Sequence, residues 1–304
     1  MIGLLQNLID ALSLGSIYAL TALGIGLLFG ILRLINFAHG DFITIGAYAL
    51  IVPSADVTAR MLIGDFNIAL MLPAIALIVI VAALLTDALV FRPLRRSSPP
   101  TLMIGSFAVS YIIQNAVLMM YGSRPKAINL WSDANTQVII GDLRVPMLQV
   151  ITLVVTLALM AGLSVFLKKS RYGVQMRAAA EDFRMAQYLG VRGNFVIGLA
   201  FAISGILASA VALLYVTQSG SLSHTMGVPL ALFAFVAVVI GGMGSLVGAV
   251  VGGFLVGFIV TMLQAYLPPD LRAFRDAFAF AFVILVLLVR PAGLVPARNT
   301  VERV

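Results

Sequence analysis

The stretch FVIGLAFAISGILASAVALLYVT, Phe195 to Thr217, contains no lysine, arginine, aspartate or glutamate. An α-helix needs about 20 apolar residues in a row to cross the ~30 Å hydrocarbon core of a bilayer. Two further runs, Leu102 to Tyr121 and Val145 to Leu167, are of similar length and equally free of charge. All three are continuous rather than alternating. That separates them from the two-residue rhythm of β-barrel strands and leaves the helix as the way to satisfy backbone polar groups in lipid. Composition agrees, since 62% of the 304 residues are hydrophobic and only 10% are charged, unlike a water-soluble domain. The fold class is therefore an all-α polytopic membrane protein with the lipid bilayer as its main solvent.

Apolar runs bounded by charge or turn residues place further spans near 8–31, 37–53, 68–91 and 274–289. Residues 226–267 are almost unbroken apolar sequence, interrupted at Gly241-Gly-Met-Gly-Ser245. One helix of that length would be about 63 Å long, twice the hydrocarbon core, so it reads as two short spans. About nine transmembrane helices (8–10) result, with broken or short helices near 30–41 and 241–245, in a single transmembrane domain over 1–304.

The 19 lysines and arginines outnumber the 12 acids, a balance that could suit nucleic acid, but they sit in short loops beside the spans. This is the positive-inside pattern of a membrane protein, and no nucleic-acid partner is implied. Arg92, Arg95 and Arg96 mark one cytoplasmic loop. Lys168, Lys169, Arg171, Arg177, Arg184 and Arg192 mark another, at about 168–194, and Arg290, Arg298 and Arg303 put the C-terminus on the same side. Counting crossings back places the N-terminus outside. The first span lacks the cationic region and small-residue cleavage site of a signal peptide, so it is expected to stay as a helix. Asp87 and Arg92 read as an interfacial ion pair.

Gly30-Ile-Leu-Arg-Leu-Ile-Asn-Phe-Ala-His-Gly-Asp41 interrupts two apolar runs with polar and ionisable side chains. An aspartate at the centre of a span costs about 2.5–3.5 kcal/mol on insertion scales, so Asp41 belongs in protein or beside a water-filled cavity. Two readings stand. Asn36, His39 and Asp41 border a translocation pathway, or they form a tight connection in which Asp41 caps the next helix and Arg33 anchors at headgroups. Gln114 and Asn115, in mid-span, either touch cargo or bridge neighbouring helices.

Residues 174–189 read as an alanine-rich helix ending at Gly190, with Val174, Ala178, Met185 and Leu189 along one face. A cytoplasmic helix with such a face fits the groove of another subunit, with Arg177, Glu181, Asp182 and Arg184 on the rim setting register; the alternatives are a helix lying on lipid, against which Glu181 and Asp182 count, or a solvated loop. Gly244, Gly248 and Gly252 form one small-residue column, and Ser245, Ala249, Gly253 and Gly257 form its neighbour, two faces for close helix packing.

Several chemistries are excluded. No glycine precedes a lysine, so there is no phosphate-binding G-x-x-x-x-G-K-[ST] loop and any ATP must be hydrolysed by another chain. There is no cysteine, and His39 and His224 are the two histidines, with no H-E-x-x-H. Neither a zinc peptidase nor a supported Ser-His pair can be built, so no catalytic residue, metal or cofactor is assigned.

Gly15-Ser-Ile-Tyr-Ala-Leu-Thr-Ala-Leu-Gly24 and Asn36-Phe-Ala-His-Gly-Asp41 resemble the LivH-type permeases of branched-chain amino acid ABC importers. Gly173, Arg177, Ala178, Glu181, Asp182, Ala186 and Leu189-Gly190 resemble that family's ATPase-coupling loop. Gly241 to Gly253 resembles its late glycine-rich motif, and Arg290-Pro-Ala-Gly-Leu294 its C-terminal signature. The resemblance spans nearly the whole chain. It implies a second, LivM-like permease subunit, two cytoplasmic ATPases and a periplasmic binding protein that delivers an amino acid through the bacterial inner membrane. Relatives of this type also serve urea and short amides. An ion-coupled secondary carrier is the rival class, but it would call for intramembrane acids beyond Asp41 and no docking helix.

Overall fold

A computed structural model describes residues 2–33, 35–54, 56, 58–95, 97–131, 136–140 and 143–296; Arg96, Arg298 and Arg303, counted above as basic markers, lie outside them. In chain order the helices are α1 (Ile2–Leu32), α2 (His39–Tyr48), α3 (Ile68–Thr86), α4 (Arg92–Leu94), α5 (Pro99–Tyr121), α6 (Met147–Lys169), α7 (Arg171–Glu181), α8 (Phe183–Tyr188), α9 (Gly193–Ser219), α10 (Gly227–Gly241), α11 (Leu246–Tyr266) and α12 (Arg275–Val289). Four short strands, β1 (Lys126–Ala127), β2 (Gln137–Ile140), β3 (Leu143–Pro146) and β4 (Ser221–Leu222), decorate the connections.

Among the described residues six helical segments are long and apolar enough to cross a membrane: Gly3–Leu32, Ile68–Leu94, Pro99–Tyr121, Met147–Lys169, Gly193–Ser219 and Leu246–Tyr266. The other three expected spans are shorter helices, α2 with 10 residues and α10 and α12 with 15 each. At 1.5 Å per residue a 15-residue helix rises only about 22 Å.

The chain folds as two compact units. The first comprises Met1–Gly26, Trp131–Ser164 and Leu232–Val304. Its centre is a crossing of α1 with α11 in which backbone meets backbone. A Cβ added to Gly253 would lie 2.4 Å from the Cα of Ala19, and one on Gly257 would lie 2.3 Å from the Cα of Gly15. On the other face of α11, a Cβ on Gly252 would stand 2.0 Å from the carbonyl oxygen of Ala237 in α10. The two small-residue columns thus serve different neighbours, Gly248 and Gly252 facing α10, Gly253 and Gly257 facing α1.

Gly244 lies outside both helices, in the turn between α10 and α11, where it and Gly242 take φ of 87° and 112°. An L-side chain is strained there, which is why this break is written in glycine. Ser245 caps α11 by accepting from the Gly248 N–H at 3.0 Å. The Arg290 to Leu294 segment straps the same turn: Leu294 N–H donates to Ile240 O at 2.8 Å and Val295 N–H to Gly241 O at 2.9 Å. β2 and β3 pair as an antiparallel hairpin.

The second unit comprises Leu27–Leu130 and Val165–Ala231. Its two ends differ. At one end Arg33 donates to the carbonyl of Ala180 in α7 at 3.3 Å, and Arg95 binds Asn194 at the start of α9. At the other end Lys126 is engulfed, its ammonium held by the carbonyls of Ser54 and Asp56, and β1 pairs antiparallel with β4 just after α9. The chain between Arg33 and Ser54 therefore runs from one end of this unit to the other, although only α2 within it is helical. The expected 37–53 span is thus a ten-residue helix followed by turns in which Leu50 and Ile51 are fully buried. Non-helical backbone can occupy membrane depth when protein surrounds it.

The expected Asp87–Arg92 pair is replaced by Asp87–Arg95, whose Nη2 donates to the two carboxylate oxygens at 2.7 and 2.9 Å. The cause is a π-helical turn over Asp87–Phe91, which widens the helix and brings the residue eight positions on above the carboxylate.

Candidate functional site

α2 is enclosed by α3, α5 and α9, and of its ten residues His39, Gly40, Asp41, Phe42, Ile43, Thr44, Gly46, Ala47 and Tyr48 are buried. Its start is the polar break read in the sequence. Asn36 makes the turn into the helix, its Oδ1 accepting from the Ala38 N–H at 3.1 Å. His39 and Ser204, near the middle of α9, share a hydrogen bond of 2.9 Å between Nδ1 and Oγ. Asp41 faces Ser110 and Gln114 near the middle of α5, and Gln114 donates to Ser110 Oγ at 2.9 Å. Neither carboxylate oxygen of Asp41 makes a hydrogen bond of full geometry, although the Ser110 and Gln114 side chains lie alongside.

Backbone contact seats this helix as well. A Cβ on Gly227 would lie 1.8 Å from the Gly40 carbonyl oxygen, and Thr44 Oγ1 accepts from the Gly227 N–H at 3.2 Å. Phe37 stacks on Phe107 of α5 with centroids 4.2 Å apart, while its N–H donates to Ser106 Oγ at 3.3 Å. Of the residues singled out in the sequence, Asn36, His39, Asp41 and Gln114 are thus brought to one region. Asn115 is not: it turns back to donate to the Tyr111 carbonyl of its own helix at 2.8 Å.

Asn36, His39 and Asp41 are all fully buried. Asn36 Nδ2, His39 Nε2 and both Asp41 oxygens are buried without a partner, four such atoms within six residues. Unpaired polar atoms are costly inside a protein, so a concentration of them marks a place where something other than stability has been selected. Ser106, Ser110, Thr44, Ser204 and Gly227 complete the surroundings and carried no signal in the sequence. Serine and threonine in apolar helices are inexpensive, and Gly227 gains its meaning only from Gly40, far away along the chain.

The region read as one helix over 174–190 is two. α7 starts under a Ser170 cap that accepts from Gly173 N–H at 2.8 Å, and α8 starts at Asp182, whose Oδ1 accepts from Met185 N–H at 2.9 Å. Asp182 is a preferred N-cap residue, and its extended backbone divides the helix. Gly190 ends α8 at φ 91°, with the Val191 N–H returning to Ala186 O.

Gly173, Met176, Ala179 and Ala186 turn inward, and Ala178 is half-buried. Arg177, Glu181 and Asp182 are exposed, as are Val174, Met185 and Leu189 of the expected apolar face. Tyr188 and Leu189 at the tip are 85% and 80% exposed. The apolar face is therefore presented outward, not packed on its own chain.

Residues 7–287 match the family described as branched-chain amino acid transport system / permease component. The chain is 35% identical to the high-affinity branched-chain amino acid transport system permease protein BraD of Pseudomonas aeruginosa, over 99% of this chain and 98% of that one. It is also 35% identical to the LivH permease protein of the corresponding system in Salmonella typhimurium, over 99% of this chain and 97% of the relative. Among solved structures it is loosely similar to a metal-chelate type ABC transporter in an inward-facing conformation, with a TM-score of 0.46 and 18% identity, covering 94% of this chain and 87% of that one.

Proposed function

This chain belongs to the branched-chain amino acid transport permease family, and from that premise we propose that it is the membrane permease subunit of an ATP-driven importer. It forms half of the translocation pathway for branched-chain or related amino acids and acts as one permease domain over its whole length. The observation that carries this reading is identity of 35% sustained over 99% of the chain. The absence of any phosphate-binding loop from the sequence fits a subunit that leaves ATP hydrolysis to partners. Those partners are a second, LivM-like permease subunit, two cytoplasmic ATPases and a periplasmic binding protein.

The end of the second unit carrying Arg33, Arg95 and α7 is cytoplasmic in this reading, since the basic loops gather there. Nine crossings follow, with α2 and the turns after it completing one of them, the N-terminus outside and the C-terminus inside. The outward apolar tip of α7 and α8 fits a groove on an ATPase, with Arg177, Glu181 and Asp182 on the rim. Gly173, Ala178, Ala186 and Gly190 hold that tip in shape, and Leu189 is part of the apolar surface it presents. Closure of the ATPases moves α7, and Arg33 passes the movement to the turn that begins α2. Asn36, His39, Asp41 and Gln114 border the pathway, whereas Asn115 serves its own helix.

Leucine uptake into proteoliposomes tests the proposal. Uptake that persists without the ATPases and collapses with the proton gradient would sink it in favour of an ion-coupled carrier. In the same preparation Glu181→Lys reverses one rim charge and is expected to weaken co-purification of the ATPases about tenfold while membrane insertion stays intact. Undiminished co-purification would move the docking surface elsewhere.

A further inference from the structure

Asp41 occupies the third position of α2, from which an aspartate ordinarily reaches back to bind the free N–H before the helix. That N–H belongs to Ala38 and is already taken by Asn36 Oδ1 at 3.1 Å. Capping is thus done by a neighbour, and the Asp41 carboxylate is left fully buried with both oxygens unpaired. Among the described residues no lysine or arginine forms an ion pair with it. Lys126 is consumed by the carbonyls of Ser54 and Asp56 at one end, and Arg95 by Asp87 and Asn194 at the other. The groups facing Asp41 are neutral, Ser110 and Gln114. A buried carboxylate without a charge partner is costly, and a counter-charge that arrives from elsewhere removes that cost.

The position of this carboxylate narrows what arrives. Ser110 lies near the middle of α5 (Pro99–Tyr121), and Ser204, bonded to His39, near the middle of α9 (Gly193–Ser219). Asp41, in the first turn of α2, therefore lies level with the middle of α5 and α9. Broken helices that expose polar groups at that depth are how transporters bind the charged parts of a cargo. Immediately before Asp41, Asn36 Nδ2 is a buried donor without an acceptor. An unpaired acceptor that carries charge and an unpaired donor, five residues apart, complement a zwitterion.

Resting on the importer reading, we propose that the start of α2 holds the charged head of the cargo, Asp41 receiving its α-ammonium group and Asn36 Nδ2 its carboxylate. Ser110 and Gln114 flank the ammonium. In the arrangement seen here the carboxylate is closed off, so cargo enters only when α5 and α2 separate.

The test uses the complete importer in proteoliposomes, with labelled leucine, isoleucine and valine as probes in sodium and in choline buffers. Asp41→Asn keeps the shape and removes the charge; it is expected to lower uptake about 100-fold, the loss typical of removing one partner from a buried charge pair. Assembly, read as co-purification with the partner subunits, should stay within about twofold, and Asp41→Glu should restore part of the uptake. Uptake by Asp41→Asn within about threefold of the parent would overturn the proposal. So would a parallel loss of assembly and uptake, which would make Asp41 a structural residue. Dependence of wild-type uptake on sodium that disappears in Asp41→Asn would assign the carboxylate to an inorganic cation instead. A wild-type importer that carries uncharged amides and no amino acid would overturn this proposal and leave the importer standing, whereas a wild type with no ATP-dependent uptake at all would remove both.

Discussion

The crossing of α1 with α11 and the seating of α2 both rely on glycine, yet they solve opposite problems. At the crossing, Gly15, Gly253 and Gly257 let two long apolar helices touch through their backbones, and the atoms nearest Gly253 and Gly257 are the backbone and methyl group of Ala19 and the backbones of Gly15 and Ala11. Around α2, Gly40 and Gly227 bring backbones just as close, but the helix so held carries Asn36, His39 and Asp41 with four unpaired polar atoms. In lipid no hydrophobic force draws helices together, and dispersion between small residues takes its place. The first region uses that contact for cohesion. The second uses it to keep costly polar groups in a fixed position that packing alone would not select.

Substitutions can break that contrast in order of severity. Gly257→Leu drives a branched side chain into the Gly15 backbone, 2.3 Å from where its Cβ would start. The expected cost is about 3 kcal/mol or more, seen as loss of monodisperse protein in size-exclusion chromatography; a normal elution profile would show that the crossing is not backbone-limited. Gly227→Ala places a methyl group 1.8 Å from the Gly40 carbonyl. It should cost about 2 kcal/mol and lower the midpoint of thermal unfolding by several degrees, while an unchanged midpoint would mean that α2 can shift freely. Ser204→Ala leaves His39 Nδ1 without its 2.9 Å partner and is expected to cost about 1 kcal/mol. If Ser204→Ala proved more damaging than Gly227→Ala, polar pairing rather than backbone contact would be what seats α2.

Much of this was legible in the sequence, for reasons that differ by region. α3, α5, α6 and α9 are long apolar runs whose boundaries follow from charge and proline, and the breaks at 30–41 and 241–245 announce themselves through glycine and polar residues. The 37–53 run misleads because hydropathy records burial, and a short helix wrapped in protein is as apolar as one wrapped in lipid. Asp182 hides in the 171–190 segment because an aspartate in an alanine-rich stretch reads as a surface charge until its cap is seen. Asn36, His39, Asp41 and Gln114 stand out since each is expensive at membrane depth. Their partners Ser110 and Ser204 do not, and the pairing of Gly40 with Gly227 is a fact of tertiary structure that no local pattern contains.

The brevity of α2 has a consequence for how the protein is made. A helix of ten residues that opens on a histidine and an aspartate has neither the length nor the apolarity to leave the translocon by itself. The runs that become α1 and α3 have both, and they partition into lipid as they are synthesised. Entry of α2 into the bilayer must wait for α5 and α9, which supply the Ser106, Ser110 and Ser204 hydroxyls around its start. Ribosomes thus deliver the walls of this unit before its most polar component can be housed, and the 33–54 segment is topologically settled only after residue 204 has been translated.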